Sequence, residues 1–156
     1  VGPGALSSES RQFAEDARGE MVWFHVCLLM FRPQALFDIL LKPAISNPNV
    51  HSIQFILDPE QEQLWHKEVR PKVAACASPE KVNEPLWVPI RESVSVIFSD
   101  AASPGATRAL LSFWGEPFMA RSSGRNIPRY IFLLQNGSEL VPRLLDLVRD
   151  YRLRKS

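Results

Sequence analysis

The chain has 156 residues, the size of one domain, since single cores are commonest at about 100–150 residues. Hydrophobic residues make up 46% of it, charged residues 22% and aromatics 10%, a balance that excludes disordered and coiled-coil classes and allows a packed core. Eighteen Lys and Arg against seventeen Asp and Glu leave a formal charge of +1, so no overall field draws the protein onto DNA or an acidic membrane.

Residues 1–10 are small and polar and read as a linker or flanking remnant, with a single α/β domain over 11–156. An opening on Val rather than Met suggests a segment of a longer protein. From Arg11 the apolar positions Phe13, Ala14, Ala17 and Met21 are spaced for a short helix, with Ser8 or Ser10 as its cap and Gly19 at its end. Glu20 to Phe31 is a continuous apolar run in which Val22, Trp23, Phe24 and Val26 favour a buried strand, with His25 a satisfied core histidine. That run is shorter than the roughly 20 residues needed to span a bilayer, and no cleavable signal precedes it. Arg32-Pro33 opens a helix that runs through Leu36, Phe37, Ile39, Leu40 and Leu41 to Pro43, followed by an Asn47-Pro48-Asn49 turn.

His51 to Leu57 reads as a mostly buried strand. Asp58-Pro59 then offers an N-cap and a first-turn proline for a helix over Glu60–Ala77, which turns Leu64, Trp65, Val69 and Val73 inward and kinks at Pro71. Leu86 to Ile90, with its prolines, predicts a strand at a sheet edge. Ser93 to Phe98 alternates, which places Val94, Val96 and Phe98 on one face. Further strands are expected near 108–116 and 130–134, and Ser138 caps a last helix with Val141, Leu144, Leu145 and Val148 inward. Two early β-α units, a cluster of strands and a closing helix describe an α/β fold, a single-domain mixed β-sheet flanked by helices.

Chemistry-bearing residues are sparse. The three His and two Cys lack metal-ligand spacing, no phosphate loop or nucleophile elbow occurs, and neither a cofactor nor a metal is called for. His66, beside Lys67 and Glu68, reads as a solvated or half-buried helix residue. Cys27 and Cys76 sit in apolar surroundings as reduced core thiols, which favours an intracellular, cytoplasmic setting. Residues 121–156 hold eight Arg or Lys against three acids, a local balance of +5. This suits a small anionic ligand at Arg121, Arg125 and Arg129, or simply a basic helix end that complements the dipole.

The second half, with Ser99-Asp100 ending one strand, Ser112-Phe113-Trp114-Gly115-Glu116 in the next, then Tyr130–Leu134 and a helix from Glu139, resembles the C-terminal half of a phospholipase D-like repeat. That family carries H-x-K-x4-D on one strand and G-S-x-N on the following one. With Asp100 as the motif aspartate, the catalytic His falls on Ser93 and the Lys on Ser95, while Ser112 and Trp114 fall where the Ser and Asn would lie. A serine without a partnered base is a weak nucleophile. The resemblance therefore implies a non-catalytic phospholipase D-like sandwich, a sensor or protein-interaction module. Its partner would be another protein or a second copy, through Trp87, Trp114 and Phe118, since aromatics dominate interface hot spots. Ser112, Trp114 and Glu116 also resemble the Toll/interleukin-receptor-like domains, which implies an NAD-cleaving or signalling role with Glu116 on the ribose. Pro117 disfavours the helix that reading needs, and an ion pair of Glu116 with Arg121 or Arg125 is the simpler alternative.

Overall fold

The computed structural model describes residues 3–103, 105–114 and 128–155. The elements are α1 (Pro3–Asp16), β1 (Gly19–Phe24), α2 (Gln34–Leu40), α3 (Lys42–Ser46), β2 (Val50–Leu57), α4 (Glu62–Leu64), α5 (Arg70–Ala74), β3 (Leu86–Trp87), β4 (Val94–Ser99), β5 (Arg108–Trp114), β6 (Pro128–Leu134) and α6 (Leu140–Lys155). The strands form one six-stranded sheet in the order β3-β2-β1-β4-β5-β6. β3, β2 and β1 run parallel, whereas β4, β5 and β6 pair antiparallel beginning at the β1–β4 seam. The fold is thus a mixed α/β sheet with helices on both faces.

Strand side chains alternate between two cores. Met21, Trp23, Ile53, Phe55, Leu57 and Leu110 pack under α1, α2, α3 and α5. Val22, Phe24, Ile56, Val96, Phe98, Ala109 and Leu111 pack under Val141, Val148 and Tyr151 of α6. Because both faces of the central strands are covered, their sequences read as continuous apolar runs rather than alternating ones. β4 keeps the expected alternation, with Val94, Val96 and Phe98 on the α6 side and Ile97 on the other.

Several boundaries differ from the sequence expectation. The first helix begins at Pro3, so residues 3–10, read as a linker, form its opening turns, and Ser8 and Ser10 lie within it rather than capping it. The strand predicted over 20–31 stops at Phe24, because His25 takes a left-handed φ of 57° and turns the chain. Leu28–Phe31 is a 3-10 turn, and Lys72 Nζ donates to the Phe31 carbonyl at 2.6 Å and to that of Arg32.

Pro43 does not stop a helix but sits in the first turn of α3, where its missing N–H leaves no bond unmade. The predicted helix over 60–77 is divided into a 3-10 turn at Pro59–Gln61, α4, a π turn at Trp65–Val69 and α5. The Arg70 N–H reaches back to the Trp65 carbonyl, and this wide turn brings Pro71 into the first turn of α5 in place of a kink. β3 has only two residues and lies at the sheet edge, as its prolines predicted. Among the described residues no helix is long and apolar enough to cross a membrane.

Candidate functional site at the seam between β1 and β4

The order of the strands creates one place where the chain changes direction across the sheet. From β1 the chain steps to β2 and then β3 on one side, and it returns to β4 on the other. In open α/β sheets ligands bind outside the carboxyl ends of the strands at such a switch point. Here the carboxyl end of β1 delivers His25, Val26 and Cys27, the approach to β4 delivers Glu92 and Ser93, and the end of β2 delivers Asp58.

Short-range bonds hold this end of the sheet in place. The His25 N–H donates to the Ile56 carbonyl at 2.9 Å, and the Ser95 hydroxyl donates to the His25 carbonyl at 2.5 Å. Gln61 clamps the following loop from both sides. Its Nε2 donates to the Val26 carbonyl at 2.9 Å, and its Oε1 accepts from the Leu28 N–H at 2.7 Å. Asp58 accepts from the Glu60 and Ile90 N–H groups, each at 3.0 Å, so the predicted N-cap also anchors the segment leaving β3.

On the α6 side the site is polar. The Tyr151 hydroxyl donates to the Glu92 carboxylate and accepts from the Arg91 N–H at 3.3 Å. Burial and the Glu92 bond both push the Tyr151 phenol up. Burial holds the His25 imidazole below its ordinary value against the opposing pull of Asp58, Glu92 and Glu60, so the ring is neutral at pH 7. Contrary to the expectation of a satisfied core histidine, His25 is half-buried and its Nδ1 is buried without a hydrogen-bond partner among the described residues.

On the α1 side the site is an apolar cavity of about 40 Å³, within about 540 Å³ of unfilled space that includes its open mouth. Phe13 and Ala14 of α1, Trp23 of β1, Ile97 of β4 and Leu110 of β5 line it, together with Ser10, Cys27, Ser95 and Ser112. No charged side chain of the described residues takes part in this lining. Burial pushes the Cys27 thiol up to about 11, so it is protonated at neutral pH. Both cysteines are free and half-buried rather than fully interior.

The predicted site residues are distributed unevenly around this seam. Ser95 and Ser112 stand opposite each other across β4 and β5, both buried and both facing the cavity. Ser93 is exposed just ahead of β4. Asp100 lies past the other end of β4, where its φ is 59°, its N–H bonds the Arg18 carbonyl at 2.8 Å and its carbonyl accepts from Thr107 at 2.8 Å. It serves the turn there, far along the strand from Ser93.

Trp87 is half-buried on the edge strand β3, with its ring 6.5 Å from that of His66. His66 is exposed and pairs with Glu62 at 3.8 Å. Glu116, Phe118, Arg121 and Arg125 lie outside the described residues, as do the side chains of Trp114 and Arg129. Sequence reasoning missed Gln61, Glu92 and Tyr151, and gave His25 and Cys27 no functional part. The available signals were a histidine interrupting an apolar run and a tyrosine three residues beyond Val148 on the inner face of α6.

No protein-family model matches the chain, and no curated protein matches it. Among solved structures it is similar to TrmBL2, an archaeal chromatin protein whose structure shows a novel mode of DNA binding. The similarity has a TM-score of 0.51 at 14% identity and covers 92% of this chain and 45% of that one. The chain therefore spans less than half the length of TrmBL2, and what the two share is the mixed α/β fold.

Proposed function

We propose that the domain is a non-catalytic phospholipase D-like module that senses a ligand or binds a protein partner. The observation that carries this reading is the chemistry of the β1–β4 seam. Phosphodiester transfer by that family needs an imidazole nucleophile and a cation on the phosphoryl oxygens. The corresponding positions are Ser93 and Ser95, and the Ser95 hydroxyl is engaged with the His25 carbonyl. Cys27 is a protonated thiol, and the described residues that line the cavity are uncharged. Such a crevice suits binding better than turnover.

Trp87, half-buried on the edge strand β3, is the residue through which a partner or a second copy would dock. The test is incubation with a chromogenic phosphodiester between pH 5 and 9 alongside light scattering coupled to size exclusion. No turnover is expected, together with an assembled species that Trp87→Ala weakens. Turnover abolished by Ser93→Ala would overturn the reading. Nicotinamide release from NAD, lost in Glu116→Ala, would replace it with the Toll/interleukin-receptor-like one.

A further inference from the structure

We propose that the cavity beside Cys27 takes the end of an unbranched aliphatic chain on a small uncharged molecule. This inference rests on the domain being a binding module and names what it binds. The first support is chemical. Phe13, Trp23, Ile97 and Leu110 make the walls, and among the polar groups the Ser95 hydroxyl is already engaged at 2.5 Å with the His25 carbonyl. A charged guest would lose its hydration with no described countercharge in the lining.

The second support is size. At about 40 Å³ the cavity exceeds the roughly 10–15 Å³ one water requires, but a water also needs two to four polar partners, and these mainly apolar walls supply only the Ser10, Ser95 and Ser112 hydroxyls, the Cys27 thiol and the unpartnered Trp23 ring N–H, with Ser95 already engaged. The interior is also far smaller than the approximately 150 Å³ apolar cavity that holds a benzene ring. A linear chain end fits where a ring or branch does not. Protein interiors otherwise leave few voids larger than a water.

The third support is position and rigidity. The cavity adjoins the switch point, where His25 keeps a left-handed φ of 57°, a strain that persists where the surroundings fix it and that clusters at ligand sites. Gln61 bonds the backbone of Val26 and of Leu28, on either side of Cys27, so this wall is set before any ligand arrives.

Cys27 lines the cavity and reports on its occupancy. In Cys76→Ser protein, the rate of Cys27 alkylation by a small uncharged reagent is measured with 1-hexanol, cyclohexanol or hexanoate. At 1-hexanol near ten times its dissociation constant, alkylation should slow about tenfold, while cyclohexanol leaves it unchanged and hexanoate, whose carboxylate meets no described countercharge at the mouth, slows it less at the same concentration. Phosphatidylcholine vesicles form a parallel arm: shielding by vesicles assigns the chain to a lipid tail, and shielding by 1-hexanol alone assigns it to a free molecule. Ala14→Leu and Ser112→Val each fill the cavity, and whichever of them melts cooperatively should lose the shielding.

Equal shielding by all three compounds, shielding that survives in folded filled variants, or no shielding from either source would overturn the inference. Phosphodiester turnover is followed on the same samples. Turnover there counts against the non-catalytic reading, whereas absent shielding without turnover counts against the aliphatic ligand alone.

Discussion

Gln61 shows how one side chain positions the site. It was legible in the sequence only as a helix residue after Asp58-Pro59, yet it satisfies the backbone of Val26 and Leu28 across the chain. Gln61→Ala leaves a part-buried donor and acceptor unpaired, so a loss of about 1–3 kcal/mol is expected in urea unfolding, with faster alkylation of Cys27. Unchanged stability and reactivity would show that the loop holds itself. Asn47 plays the comparable part for α1. Its Nδ2 donates to the Ala14 carbonyl at 3.0 Å and the Ala17 carbonyl at 2.8 Å, and its Oδ1 accepts from the Asn49 N–H at 2.8 Å. Asn47→Ala should cost about 1–3 kcal/mol by the same reasoning, read as a lower melting temperature.

His25 gives the fold a pH dependence whose sign follows from its burial. Its folded-state value lies below the ordinary 6.5, so the neutral ring is favoured on folding and its contribution is complete above pH 6.5. As pH falls through 6.5 the unfolded chain takes the proton first, and stability declines until the folded form takes it too. Urea midpoints measured from pH 7.5 down to 5 should fall, and His25→Gln should flatten that part of the slope. An identical slope in the variant would place the titration elsewhere.

At the scale of elements, the sequence was informative where local signals and tertiary demands coincide. Val50–Leu57, the Asp58 cap, the edge position of Leu86–Trp87 and the inward face of Val94, Val96 and Phe98 all follow from burial pattern and turn chemistry. It was misleading where one residue's backbone decides the boundary. In the run from Glu20 to Phe31 only residue type marks His25 as the one that leaves β-space, a weak signal because a left-handed φ is uncommon outside glycine even though His adopts it more often than most residues.

Pro43 and Pro71 were read as a stop and a kink, yet both occupy first turns of new helices, where a missing N–H is harmless. For Pro71 the preceding π turn makes this possible. Pro71→Ala should therefore change stability by less than about 1 kcal/mol, much less than relief of a mid-helix proline would give. A gain near 3 kcal/mol would indicate a strained interior position instead.

At the scale of the whole molecule, the sheet has to be assembled before a site can be recognised. His25 and Ser95 are 70 residues apart and Tyr151 and Glu92 are 59 apart. No local pattern joins them, and only the return of the chain to β4 beside β1 does so. Ser95 and Ser112 were picked out from a motif pattern, and the sheet register sets them face to face. Asp100, chosen by the same pattern, ends up serving a turn beside Gly19, whose own φ is 61° and where an added Cβ would lie 2.5 Å from the Asp100 carboxylate. The alternation of Ser93 to Phe98 located the strand, whereas the places of Ser95, Ser112 and Asp100 relative to one another follow from the sheet register.

On the proposed reading this seam offers a binding cavity without an activated nucleophile, and Cys27 is the group that can show otherwise. Its thiol, pushed from 9.0 up to about 11 by burial, should react only as the thiolate forms. The measurement is the pH dependence of Cys27 alkylation in Cys76→Ser protein, kept within the range where the protein remains folded. The expected result is a rate still climbing between pH 9 and 11, with folding stability falling over the same interval because the unfolded thiol ionises first. A rate that reaches its plateau below pH 8 would reveal a thiolate poised for attack and contradict a site built for binding alone.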